Sequence, residues 1–416
     1  MVEIWLPYGS TEVCVRVPVN NMLDLIEPKK VCETQNPQEE MRNALKNPLA
    51  TSCLADIARP GAKVTIVLKD SGVSTDRIVL SALMEELKLS GVRENDIIVL
   101  VAHDPFKTAS SDRVLSALNA ETFKIIQHDP SGHGGIYMDK TSRGTKIFLN
   151  KMFAEADVKI LAGPVEPHPV AGYSGGCELI MPGVARIDSI NKVFQLGLNE
   201  KAVMGNLRDN PVHEEMVEAA SLADVDFTVN IVRNDAFDLV KVFAGDFNKA
   251  FEEAITFAEN IYKVPVENRA DVVFVSPGGL VFDSTFQDAV ACLYGALKVL
   301  RRRKNIALVA ECSSGCGDKE FIEAMSKSAD LKELRKDLKK KFSIPKLIAY
   351  KSMSILQEAN ILIVSAIPSY YISQISRMKI ARTVNEAFRF FLDTVGSKGK
   401  FSFIPKGCLT IPFMKT

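Results

Sequence analysis

Short apolar runs alternate along this chain with stretches whose apolar residues recur every three or four positions. Val64 to Leu68, Ile97 to Ala102, Val158 to Ala162, Val229 to Val232, Val272 to Val275, Ile306 to Ala310 and Ile361 to Val364 have the length and β-branched content of buried strands. Ile147 to Leu149 adds a shorter one, and residues 4 to 17 alternate strictly enough to read as a hairpin or edge strand. Between the runs, Asp76 to Leu89 puts Val79, Leu80, Leu83 and Leu87 on one helical face and stops at Gly91. Further helices are predicted at about Pro37 to Asn47, Ser111 to Leu118, Asn248 to Tyr262, Thr285 to Leu300, within 319 to 341, and at Val384 to Val395.

Strands that are apolar throughout, separated by amphipathic helices, predict an α/β fold with mostly parallel sheets covered on both faces. The pattern restarts near residue 266, so the chain divides into two α/β domains, 1–265 and 266–416, with a cleft between them. The last residues have the option of returning to the first domain. Ligands of such folds sit beyond the carboxyl ends of the strands. Here those ends carry Lys69-Asp70-Ser71-Gly72, His103-Asp104-Pro105-Phe106, Ser276-Pro277-Gly278-Gly279, Glu311-Cys312-Ser313-Ser314-Gly315 and one long loop from Gly163 to Gly183. That loop has neither period, is too apolar for a linker, and is expected to be an active-site loop or the remains of one.

At 416 residues, 47% apolar and 25% charged, the chain has a globular composition. Lys plus Arg and Asp plus Glu are 51 each, which gives no electrostatic reason to expect nucleic acid or an anionic membrane as partner. Arg301-Arg302-Arg303-Lys304 and Lys339-Lys340-Lys341 read as solvated helix ends. No stretch of about 18 apolar residues occurs, and the opening MVEIWLPYGS, with no basic start and no apolar core, is not expected to act as a secretory leader. Eight scattered cysteines in such a chain suggest free thiols and a cytoplasmic location. Neither G-x-G-x-x-G after a strand nor a Walker A sequence occurs.

Several residues invite chemistry. His168, between two prolines and after Glu166, reads as a general acid/base or as a histidine that ties its loop to itself. His103 and Asp104 read as a second acid/base or as a helix cap. His128 and His133 have a weak metal-like spacing. Thr141-Ser142-Arg143-Gly144-Thr145 could hold a carboxylate or phosphate, or be a structural turn. Cys177 is a thiolate ligand, a nucleophile or a small buried residue. Cys312 and Cys316 form a C-x3-C, which is not a standard zinc spacing.

The loop E-P-H-x3-G-x-S-G-G-x4-P-G, from Glu166 to Gly183, resembles the central motif of the nickel-pincer lactate racemase family. LPYGSTEVCVRVP at the start, IEPKKV, TSRGT, NPVHEE, VFAGDF, SPGG and AEC-x2-G extend the resemblance almost end to end. It implies two α/β domains with a nickel-pincer nucleotide in the cleft, and inversion of a small 2-hydroxy acid, or a polyol-type substrate, by hydride transfer and two proton-exchanging histidines. Carried over by position, His168 is one of those histidines, with His103 or Lys107 opposite. Asp70, Ser174, Gly175, Gly176, Cys177 and Glu178 would face the cofactor, and Arg143 and Gln287 the substrate. The same carry-over puts Phe106 where the family has its second histidine, and Lys107 where it has an arginine. Glu178 falls at the lysine that anchors the pincer, Phe194 at the nickel-binding histidine, Val73 at an arginine of the phosphate turn and Val290 at a substrate-binding lysine. The resemblance therefore leaves two expectations: a divergent racemase or epimerase, or a non-nickel member that binds a small anionic ligand, a cofactor or a partner protein. A third, remoter reading is a different metal held by His103, His168, Glu178 and Cys177.

Overall fold

In the computed structural model, which describes residues 1–108, 123–132, 134–327, 330–375 and 377–415, the strands form two six-stranded sheets. The first runs, in spatial order, Leu239–Gly245, Phe227–Arg233, Val158–Pro164, Val64–Leu68, Ile97–Val101 and Lys124–Gln127. Every pairing in it is parallel except the edge pair Phe227–Arg233 with Leu239–Gly245. The second runs Met378–Ala381, Ala359–Val364, Leu300–Val309, Ala270–Val275, Phe401–Ile404 and Met22–Leu25, parallel throughout. The α/β class with mostly parallel sheets is thus the observed one.

Both sheets are buried on two faces, which is why their strands are apolar at every position rather than at every second one. Side chains of one strand alternate between two cores. Ile66 and Leu68 pack with Val99, Ile160 and Val229 on one side, while Val67 packs with Leu100, Leu161 and Val232 on the other. In the second sheet Val273, Val275 and Ile306 face one core, and Val272, Phe274 and Ala307 the other.

Three departures from the sequence reading have physical causes. Residues 1–25, expected in the first unit, are built into the second: Met22–Leu25 pairs with Phe401–Ile404, and Ile4, Leu6, Val15 and Val17 of the hairpin join Phe274, Phe388 and Phe401 in one core. An alternating hairpin shows which face it buries but not against which sheet. The long helix expected from Thr285 is broken into Phe286–Ala289, a 3-10 turn Val290–Cys292 and Leu293–Lys298. Arg301 to Lys304 consequently lie on the strand Leu300–Val309, not at a helix end; Arg301 pairs with Asp271 and Lys304 with Glu358. Finally, a helix Ile344–Glu358 follows Ser343, with Pro345 in its first turn, where a missing N–H costs nothing. The periodicity does not single it out because its apolar residues are spread over more than one face. The helix expected over Ser111 to Leu118 lies outside the described residues.

In the first sheet the chain leaves Val64–Leu68 toward Ile97–Val101 on one side and later returns as Val158–Pro164 on the other. The carboxyl ends of Val64–Leu68 and Val158–Pro164 therefore flank the point where the winding reverses, the place such sheets offer for a ligand. The long loop and Lys69 emerge there.

Candidate functional site

Gly175 and Gly176 set the loop's path. Their φ values are +87° and +49°, and a Cβ on either would stand 2.9 Å from Val165 or 2.7 Å from the Phe251 ring. Only glycine gives both the left-handed backbone and the space. The turn that follows closes on Glu178, whose Oε2 accepts the Gly175 N–H at 2.9 Å. Ser174 ties the loop's entry: its Oγ accepts the Glu166 N–H at 3.0 Å and donates to the Pro164 carbonyl at 3.2 Å.

Glu178 Oε1 receives Lys69 Nζ at 2.6 Å, and Lys69 Nζ also lies 3.3 Å from Asp104 Oδ2. All three side chains are largely shielded from solvent. Burial alone would lower the Lys69 pKa, yet Asp104 and Glu178 beside it hold it above the ordinary lysine range. Burial would likewise raise Asp104, but Lys69 and then Lys107 hold it well below the usual carboxylate range. A second buried pair adjoins the first. Arg233, at the end of Phe227–Arg233, donates from Nε (3.1 Å) and Nη2 to Glu166 Oε1, and from Nη1 to the Ser71 carbonyl. Against the cost of burial, Arg233 and then Lys107 keep Glu166 ionised to lower pH than usual.

His168 accepts the N–H groups of Val170 (3.2 Å) and Ala171 (2.9 Å) at Nδ1. A nitrogen that accepts two backbone donors carries no proton, so the neutral ring is protonated at Nε2. Nε2 is buried with no hydrogen-bond partner, and its nearest carboxylate oxygen, Glu178 Oε1, is 3.9 Å away. Burial, opposed by Glu178 and reinforced by Lys69, lowers the ring's pKa. Phe106 meets His168 edge to face at 4.7 Å between centroids, and Phe194 stands 5.1 Å from Phe106 and 6.5 Å from His168. His103 does not take part: its charged neighbours are Asp104 and Asp129, and its backbone N–H is given to the Gly183 carbonyl.

The remaining candidates are placed as follows. Lys107 is exposed at the rim, where its charge acts on Asp104 and Glu166. Asp70 accepts the Gly72 N–H at 2.8 Å in a tight turn. Cys177 is fully buried, and burial pushes its thiol up to about 12, which suits a packing residue rather than a thiolate. Arg143 is bound to Glu214 (2.6 Å) and Glu215 (3.1 Å) and does not line the cleft. His128 is a structural histidine, bridging Ala185 O and Asn150 at 2.8 and 3.1 Å; His133 lies outside the described residues. Cys312 is buried, its thiol pushed up to about 12, and Cys316 is half-buried. Among the described residues no cluster of three His, Cys, Asp or Glu side chains could hold a metal ion.

A cleft of about 940 Å³ opens between the two halves beside this cluster. Phe106, Pro169 and Val170 line it from the first half, and Gln287, Val290 and Lys351 from the second. Gln287 is held by the Asp318 N–H, which its Oε1 accepts at 2.9 Å. Thr108 crosses the gap: its N–H and Oγ1 donate to Asp288 at 3.1 and 2.6 Å. Sequence reasoning missed Lys69, Arg233 and Lys351. Lys69 stood in a quoted strand end, but only the fold brings it to Glu178, 109 residues on.

The donor set tests the pincer directly. Glu178, which the resemblance sets where the family has its anchoring lysine, is already engaged by Lys69 and Gly175, and it has no amine to carry a thioamide. Phe194 and Phe106 offer no lone pair where the family's histidines would stand. The residues present do not fit a nickel-pincer nucleotide.

Comparison with known proteins agrees with the architecture. The lactate racemase N-terminal domain matches residues 8–205 and the lactate racemase C-terminal domain residues 266–411. Lactate racemase of Thermoanaerobacterium thermosaccharolyticum is 26% identical over 99% of each chain, and that of Lactiplantibacillus plantarum 24% identical over 98% of this chain and 99% of its own. The structure of the T. thermosaccharolyticum apoprotein superposes with a TM-score of 0.89, covering 99% of this chain and all of that one. A Thermotoga maritima protein, 16% identical, shares the fold with a TM-score of 0.69 over 92% of this chain and all of its own.

Proposed function

The chain belongs to the lactate racemase family, and from that premise we propose that it is a racemase-like protein which binds a small hydroxylated carboxylate in its interdomain cleft without nickel-pincer chemistry. The observation that carries this reading is the packing of Phe106 and Phe194 onto His168. Inversion by two bases needs one on each face of the reacting carbon, with room between them. Here the space beside His168 is filled by a phenyl ring 4.7 Å away. The Lys69–Glu178 pair closes the other approach, since either charge left alone in that interior would carry a heavy desolvation cost.

Open to solvent beside Phe106 is the cleft, of the size of small-ligand sites and with Gln287 held at its wall. The chain's own residues can do three things there: bind a small molecule, orient it through Gln287, and exclude water by holding the halves together through Thr108 and Asp288. The cleft is also what would serve a racemase or epimerase working by other chemistry, and that is the second reading.

Protein purified from its native host distinguishes them. Metal analysis combined with chiral chromatography of lactate, malate and related 2-hydroxy acids is expected to give substoichiometric nickel and no inversion, while the same acids bind in equilibrium dialysis. Nickel near one per chain with lactate inversion overturns the proposal. Inversion without nickel supports the second reading.

A further inference from the structure

Lys351 stands on the helix Ile344–Glu358 and lines the cleft. Its ammonium makes one hydrogen bond among the described residues, 2.6 Å to the Ala202 carbonyl, although it carries three N–H groups. Among the described residues no carboxylate pairs with it. The other charges of the cleft wall are committed or at the rim. Lys201 pairs with Asp209 at 2.8 Å, Glu358 with Lys304, and Asp288 takes hydroxyls from Thr108, Thr285 and Ser284 at 2.6 to 3.0 Å. Glu200 and Arg335 are exposed. Burial without a counter-charge lowers the Lys351 pKa to about 8.

We propose that Lys351 is the anion receptor of this cleft, the group that takes the carboxylate of the bound small molecule. This rests on the cleft reading above. Val290 lines the same cavity, so the wall that offers no charge at one position offers one at another. The backbone carbonyl of Ala202 pre-orients the ammonium without neutralising it. An incoming carboxylate then supplies the missing counter-charge, and as it does so the lysine's affinity for its proton rises toward the ordinary value. Binding near the lysine's own pKa is therefore accompanied by proton uptake.

The test is calorimetric titration of the full chain with malate and with its diamide, in two buffers of different ionisation heat, for wild type, Lys351→Met, Lys351→Arg and Ala291→Trp. Ala291 lies on the cleft wall, and a tryptophan there projects into the cleft and narrows it. Malate is expected to bind the wild type with proton uptake at about pH 8, and the diamide not to bind. Lys351→Met should weaken binding roughly tenfold to a hundredfold, the range for losing a hydrogen bond to a charged group, with proton uptake abolished. Lys351→Arg should retain affinity without the uptake, because arginine does not titrate there. If Ala291→Trp abolishes binding and Lys351→Met does not, the lysine assignment falls and the cleft reading stands. If neither substitution weakens binding, or malate fails to bind the wild type, both fall.

Discussion

The ring of Phe106 meets the ring of His168 edge to face, with centroids 4.7 Å apart and planes at 79°. The backbone N–H groups of Val170 and Ala171 hold the far side of the imidazole, so the histidine is fixed between a main chain and a phenyl group. The imidazole is packed as a wall.

Phe106→Ala should uncover that wall. Phe106 is 9% exposed, so its loss is expected to cost about 3 kcal/mol, the low end of the range for buried phenylalanines. Water reaching Nε2 should raise the His168 pKa toward the ordinary histidine value, visible as a shift of its ring proton titration by NMR. An unchanged titration contradicts the shielding role.

Lys69→Met leaves Glu178 and Asp104 buried without their cation. Stability is expected to fall by about 3–5 kcal/mol in urea denaturation. Combining it with Glu178→Gln should recover much of that loss, giving a coupling well above 0.5 kcal/mol in a double-mutant cycle. Additive losses would mean the pair is not a unit.

The pH dependence has a definite sign. The folded-state pKa of His168 is lowered, so between that value and the unfolded value the unfolded chain holds a proton the folded chain does not. Stability is therefore full above the unfolded histidine value and declines as pH falls below about 6.5. Asp104 and Glu166 have lowered folded-state pKa values, so their contribution is present above about 4 and is lost as pH falls through those values. Urea midpoints measured down through this range should show both stages, and Phe106→Ala should flatten the first.

Asp76 gives the opposite slope. It is fully buried and accepts the Ser71 N–H at 3.1 Å; burial and the nearby Asp70 raise its pKa from 3.8 to about 7. The folded chain holds a proton that the unfolded chain releases, so this group costs stability as pH rises from about 4 to about 7. Asp76→Asn should change little at about pH 4 and stabilise at about pH 8. A variant equally destabilised at both would show that the carboxylate is held for another reason.

Most of the parallel core was legible because strands buried on two faces leave an uninterrupted apolar signature, as in Val64–Leu68. The loop around His168 was legible from its glycines and from its motif. The site's electrostatics were not. Lys69, Asp104 and Glu178 are a triad only because three separate strand ends converge, and no local pattern records which lysine meets which carboxylate. Edge and late strands such as Met378–Ala381 and Phe401–Ile404 were missed for a different reason: they are four residues long, too short for a period to declare itself. The tilt of Arg143 onto Glu214 and Glu215 is likewise a tertiary fact, since a guanidinium in a turn suits a carboxylate of the protein as well as one of a ligand.

The strand Met22–Leu25 lies beside Phe401–Ile404, at the edge of the second sheet. During synthesis the first of these leaves the ribosome long before its neighbour exists. The hairpin before it buries Leu6 and Val15 against Phe274 and Phe401, which also come later. The first sheet can close while translation continues, because its strands all lie between residues 64 and 245. The second cannot, and contacts this distant in sequence are slow to form. The apolar residues of the opening hairpin therefore wait for their packing partners until the end of the chain has been made.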